Sequence, residues 1–128
     1  MSTAKKRILV VEDNPDLSHM MEMAFRVASF EAEFAADGRE AVQKVERAFS
    51  AGKGYDFYLV DIQLPFMNGY VVASKIYELD EDAYVVLNTA YDEQDAIPRT
   101  RSMRVAEIWL KPFSLDRLRK RIGCLLLD

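Results

Sequence analysis

Ile8-Leu9-Val10-Val11-Glu12-Asp13 decides how this chain is read. The run is short, apolar and mostly β-branched, as expected of a strand buried on both faces of a parallel sheet. It ends abruptly in two acids. The same pattern recurs three times: Phe57-Tyr58-Leu59-Val60 ends in Asp61, Val85-Val86-Leu87-Asn88 in Thr89, and Ile108-Trp109-Leu110 in Lys111. In an open α/β sheet, ligands collect outside the carboxyl ends of the strands, where the strand order reverses. Three acids, a hydroxyl and an ammonium at four strand ends therefore describe one crevice for a divalent cation and a phosphoryl group.

Helix-like segments alternate with these strands. Asn14 suits an N-cap and Pro15 a first helical position. Leu17, Met20, Met21, Ala24, Phe25 and Ala28 then follow helical spacing on one face. A weaker strand over 31–35 carries Glu31 and Glu33, charge that suits a sheet edge. A second helix follows Asp37-Gly38 with Ala41, Val42, Val45, Ala48 and Phe49, and the Gly52-Lys53-Gly54 turn ends it. Pro65 and Gly69 mark a loop before a helix over 70–79. The next strand starts near Tyr84, and part of 92–103 is helical, short or displaced because of Pro98. A strand over 105–110 leads to a last helix, capped by Ser114, with Leu115, Leu118, Ile122 and Leu125 on its apolar face. Five βα units with right-handed crossovers give a parallel sheet with helices on both faces.

The 128 residues, half of them apolar, fit one domain over 1–128 with no second domain. A net charge of −4 gives no general attraction to nucleic acid or anionic membranes. Cys124 stands alone, which excludes an intramolecular disulfide and points to a reducing, cytoplasmic setting. The polar start Met1–Arg7 reads as no signal peptide, and no run approaches the roughly 20 apolar residues of a membrane span. Late cations (Arg99, Arg101, Arg104, Arg117, Arg119, Lys120, Arg121) read as a solvated helix face, with protein docking ahead of nucleic-acid binding. His19 reads as an exposed polar residue, and Met20, Met21 and Met23 as adaptable packing.

Three carboxylates ~4 Å apart repel by about 4 kcal/mol per pair at an effective dielectric of about 20. They stay ionised together only around a cation, and magnesium suits a few carboxylates while keeping waters for an incoming phosphate. Asp61 is the best nucleophile, since a carboxylate forms an acyl phosphate when the incoming charge is neutralised and the geometry is in line. Lys111 supplies a point charge to the phosphoryl oxygens, and the Thr89 hydroxyl a hydrogen bond.

Over essentially its whole length the chain resembles the receiver domain of bacterial two-component response regulators. The resemblance rests on Glu12-Asp13, on Asp61 with Pro65 and Gly69 at the family's spacing, on Thr89-Ala90 and on Lys111-Pro112-Phe113. It implies a flavodoxin-like (βα)5 fold with strand order 2-1-3-4-5. It also implies that Asp61 accepts a phosphoryl group from a histidine kinase or histidine phosphotransfer protein. Magnesium is then held by Glu12, Asp13, Asp61 and the Gln63 backbone carbonyl, and the Lys111-Pro112 bond is cis. Such a protein is no enzyme beyond its own phosphorylation and slow dephosphorylation, works through an unidentified downstream protein, and is a monomer or weak homodimer.

Two departures bear on output. The switch aromatic of the family falls at Ile108, with Trp109 one residue along, and Pro98 disturbs a partner-binding region. In the family, the position two residues after the Thr flanks the path of water to the acyl phosphate, so the resemblance implies that the ring of Tyr91 shields that bond and slows its loss. A phosphatase of the haloacid-dehalogenase type needs an acid where Gln63 stands, and a flavin carrier needs a phosphate loop where Glu12-Asp13-Asn14-Pro15-Asp16 is acidic. A receiver-like interaction module that works without phosphate remains the alternative.

Overall fold

A computed structural model of the chain describes residues 6–27, 30–89, 105–110 and 114–127, with the backbone alone at 27, 110, 115 and 125–127. The elements run β1 (Arg7–Val11), α1 (Pro15–Val27), β2 (Glu31–Ala35), α2 (Gly38–Ser50), β3 (Phe57–Asp61), α3 (Gly69–Leu79), β4 (Val85–Thr89), β5 (Glu107–Leu110) and α4 (Leu115–Leu127). The expected helix within 92–103, Pro98 and the Lys111-Pro112 bond lie outside the described residues.

All four strand pairings are parallel and the order is β2-β1-β3-β4-β5, as the sequence pattern and resemblance predict. Strand alternation splits the apolar residues into two layers. Leu9, Val11, Tyr58, Val60 and Leu87 meet Ala41 and Val45 of α2 and Val72 and Ile76 of α3. Ile8, Val10, Phe57, Leu59 and Val86 meet Met21 and Phe25 of α1 and Leu118 and Ile122 of α4. Both faces are covered, which is why these runs carry no polar alternation.

Local chemistry sets the helix starts. Asn14 Oδ1 accepts from the backbone N–H of Asp16 and Leu17, Asp37 from Glu40, Asn68 from Val71, and Ser114 Oγ from Arg117. Glu40 in turn accepts from Ala36 N–H, 3.2 Å away, a near relative of the capping box. Two periodicity readings need correction. Met20 is 52% exposed, because α1 turns Met21 and Phe25 onto the sheet and Met20 falls outside that arc. Phe49 is also exposed; its ring lies against Gly54 at the margin of the core.

The charges on edge strand β2 are paired as well as exposed. Arg7 reaches Glu31 and Glu33, Lys44 lies 3.9 Å from Glu33, and the Tyr55 hydroxyl donates to Glu33. At the opposite edge, Glu107 gathers three donors: the Tyr84 hydroxyl, Trp109 Nε1 at 3.2 Å and Arg121 Nε at 3.2 Å. One carboxylate thereby ties the start of β4, strand β5 and helix α4. Beneath it Phe57 stacks on Tyr84 and lies against Trp109.

The β3–α3 connection folds back on itself. Ile62 N–H donates to Asn88 O, and Gly69 N–H returns to Ile62 O at 2.9 Å. A Cβ on Gly69 would collide with the Asp61 carbonyl oxygen and sit 2.7 Å from Ile62 Cα. The loop apex is strained: Phe66 has φ 69°, with Met67 N–H closing a tight turn onto Pro65 O and Arg39 lying over the exposed ring.

Gly69→Ala should therefore lower stability by about 2–3 kcal/mol, read by chemical denaturation; a loss below about 0.5 kcal/mol would mean that the backbones separate freely. Burial alone would raise the Glu107 pKa, but its bonds from Tyr84, Trp109 and Arg121 outweigh burial and hold it below the usual range. Burial and the Glu107 acceptor push Tyr84 up to about 12. The Glu107 contribution is thus present above the ordinary carboxylate pKa and lost as pH falls; that of Tyr84 is lost as pH rises from its ordinary value toward about 12. Glu107→Gln should flatten the acid limb of thermal stability and bring Tyr84 back toward its ordinary titration in alkaline absorbance. An unaltered acid limb would show that the carboxylate contributes nothing there.

Candidate functional site

Pairing of β1 with β3 places Val11 opposite Val60, so the residues that follow, Glu12-Asp13 and Asp61, leave the sheet side by side. Carboxylate oxygens of Glu12, Asp13 and Asp61 all lie within 4.8 Å of one another. Glu12 and Asp61 are buried, at 4% and 5% exposure, while Asp13 is exposed. The two buried acids are held by backbone: Glu12 N–H donates to Ala35 O, Asn14 N–H donates to Glu12 Oε2, and Gln63 N–H donates to Asp61 Oδ1 at 2.9 Å. A cleft of about 310 Å³ opens beside Glu12 and Asp13, lined by Pro15, His19, Phe34 and Glu40. His19 is exposed on α1, as expected.

This donor set fits a hard divalent cation. Two buried carboxylates supply charge from a fixed platform, and the exposed third leaves the solvent side open for waters or an oxyanion. Without a cation the three charges oppose one another. Gln63 starts the loop directly above Asp61, where a backbone ligand is expected.

Thr89 is fully buried at the end of β4, one strand from Asp61, and pairs in register with Leu110. Ile108 pairs with Leu87 and Trp109 with Asn88. Trp109 is half-buried and packs against the α1/α4 layer, beside the expected switch position. Lys111, Tyr91, Pro98 and Pro112 lie outside the described residues. On α4, Arg119 and Lys120 pair with Asp116 and Arg121 with Glu107, as expected of a solvated helix face.

Asn88 has the weight the sequence reading gave to its neighbours. Read from the sequence it is one member of an apolar run; in the structure it is a buried amide beside Asp61, and its Oδ1 has no hydrogen-bond partner among the described residues. Leaving such a group unpaired costs about 1–3 kcal/mol. Its signal was in the sequence, as the one amide in Val85-Val86-Leu87-Asn88.

Comparison with known proteins gives the same picture. The sequence model of the family described as "Response regulator receiver domain" matches residues 8–123. Sporulation initiation phosphotransferase F of Bacillus subtilis is 26% identical, covering 91% of this chain and 90% of its own length. The transcriptional regulatory protein TrcR of Mycobacterium tuberculosis is 31% identical over 94% of this chain, which spans 45% of that protein. Among solved structures, the response regulator protein TrrA of Thermotoga maritima, in complex with Mg(2+)-BeF, superposes with a TM-score of 0.77 at 30% identity, covering 94% of this chain and 99% of its own.

If the acids hold magnesium, a tenfold excess of it over its dissociation constant should stabilise the fold by ~1.4 kcal/mol. Asp13→Asn should raise the melting temperature without metal, by removing one of the repelling charges, and lose most of the magnesium shift. A magnesium shift that survives Asp13→Asn intact would place the ion elsewhere.

Proposed function

The chain belongs to the response regulator receiver domain family, and on that premise we propose that it is a phospho-acceptor of two-component signal transduction with Asp61 as the accepting residue. The observation that carries this reading is the convergence of Glu12, Asp13 and Asp61 from two adjacent strand ends onto one cation-sized site. The donor is a phosphohistidine of a histidine kinase or a histidine phosphotransfer protein.

In the transfer, an Asp61 carboxylate oxygen attacks phosphorus in line with the P–N bond. The P–O bond forms as the P–N bond breaks, and the electron pair stays on the leaving imidazole. Magnesium, when bound, supplies neutralisation of the charge shared between carboxylate and phosphoryl oxygens. Asp61 is already oriented by the Gln63 N–H, so little freedom is lost on reaching the attack geometry. Thr89 donates to one phosphoryl oxygen and Lys111 pairs with another, while Glu12, Asp13, Asp61 and the Gln63 backbone carbonyl would hold the metal. Later attack of water on phosphorus returns free phosphate and the Asp61 carboxylate, and Tyr91 slows this step. No other reaction is catalysed.

Output passes to a protein partner through the β4–β5 edge that carries Thr89, Ile108 and Trp109 and through the segment containing Pro98. Ile108 lacks a hydroxyl to exchange between partners, so it follows Thr89 by packing alone. The chain works in the cytoplasm as a monomer or weak homodimer. No helix among the described residues is long and apolar enough to cross a membrane.

Intact-mass measurement after incubation with magnesium and acetyl phosphate tests the reading. One phosphoryl group should appear on the wild type only with magnesium, and none on Asp61→Asn. No adduct with several small donors would leave a phosphate-independent interaction module as the better account.

A further inference from the structure

Asn88 stands in register beside Asp61 on β3 and Trp109 on β5. Neighbouring strands lie about 4.8 Å apart, and paired residues of a parallel ladder send their side chains to the same face. Leu59 and Val86, two residues before Asp61 and Asn88, both belong to the α1/α4 layer. The Asp61 carboxylate and the Asn88 amide therefore emerge on that same side. The amide is 1% exposed, and its Oδ1 has no hydrogen-bond partner among the described residues. The three residues before it on β4 are apolar, and a leucine would occupy the position with no hydrogen bond to satisfy. Asn88 thus has hydrogen-bonding capacity to spare beside the carboxylate, in buried surroundings where such a bond is strong.

We propose that Asn88 is a positioning residue of the phospho-acceptor site, its Oδ1 unmet in the resting protein and hydrated once Asp61 carries a phosphoryl group. The proposal rests on the phospho-acceptor reading above. A phosphoryl group brings acceptor oxygens and ordered water to Asp61, and the amide offers two N–H donors and a carbonyl acceptor. Oδ1 only accepts, so the demand left open at rest is met by a water that is ordered against the phosphoryl oxygens and donates to it. Because the unmet bond raises the energy of the resting state alone, pairing shifts the balance toward the phosphorylated form. The next residue across the ladder is Trp109, the chain's sole tryptophan, whose Nε1 shares Glu107 with Arg121 of α4. A change at Asn88 thus borders the contacts that tie β5 to α4.

The test titrates magnesium and then beryllofluoride, a phosphoryl mimic, into wild type, Asn88→Leu and Asn88→Val. Calorimetry is the primary readout, Trp109 fluorescence the second, and melting without ligand a control. Both variants should melt above wild type without ligand, and magnesium alone should still stabilise them. Beryllofluoride affinity should fall by about tenfold, equivalent to about 1.4 kcal/mol. Equal beryllofluoride affinity in wild type and variants overturns the role of Asn88 and leaves the phospho-acceptor reading standing. A lower melting temperature with loss of magnesium binding also overturns it, since Asn88 is then a structural residue. Failure of the wild type itself to bind beryllofluoride overturns the phospho-acceptor reading, and this proposal with it. Valine already occupies two positions of β4, so Asn88→Val keeps the comparison available should leucine not fit.

Discussion

Three like charges are held together at the end of two adjacent strands, and the rest of the structure answers to that constraint. Left to themselves, Glu12, Asp13 and Asp61 would separate, since each pair repels by several kcal/mol at such distances. Parallel pairing of β1 with β3 forbids it. The pairing is secured from below by residues such as Leu9, Val10, Leu59 and Val60, all fully or almost fully buried. Each such aliphatic side chain contributes about 1.5–3 kcal/mol on burial, so a few of them outweigh the repulsion. The sheet is thus a clamp that keeps an electrostatically costly arrangement ready for a cation.

Precision above the clamp comes from backbone. Gly69 lets α3 start against the carbonyl of Asp61, and the Gln63 N–H fixes one carboxylate oxygen. Within the same connection lies the tight turn at Phe66, a bulky residue in a left-handed conformation with Arg39 over its ring. Strain at the loop apex and order at the nucleophile are two ends of one short connection.

The far edge of the sheet is organised around a second carboxylate. Glu107 binds β4, β5 and α4 through Tyr84, Trp109 and Arg121, while Phe57 of the central strand β3 packs against two of the same rings. A path of packed and hydrogen-bonded groups therefore leads from the strand that carries Asp61 to the helix farthest along the chain. Asn88 stands beside it, in register between Asp61 and Trp109.

Much of this was legible in the chain. Buried strands announce themselves as unbroken apolar runs because both faces are covered, and caps such as Asn14, Asp37 and Ser114 act on neighbours two or three residues away. The acids after two of those runs identified the site for the same reason: strand ends in a parallel sheet share one edge. What the sequence left open depends on three-dimensional neighbours. Met20 and Met21 are chemically alike, yet only the seating of α1 on the sheet buries one and exposes the other. Glu107 looks like any edge-strand acid until β5 and α4 bring Tyr84 and Arg121 to it. Asn88 passes for a strand residue until its register beside Asp61 shows an amide oxygen with no partner among the described residues. Periodicity and local hydrogen bonding are properties of neighbouring residues, so the sequence alone determined the fold and the identity of the acids. Pairing across the sheet joins residues far apart in the chain, so only the tertiary structure decided which polar groups share charge and which go unmet.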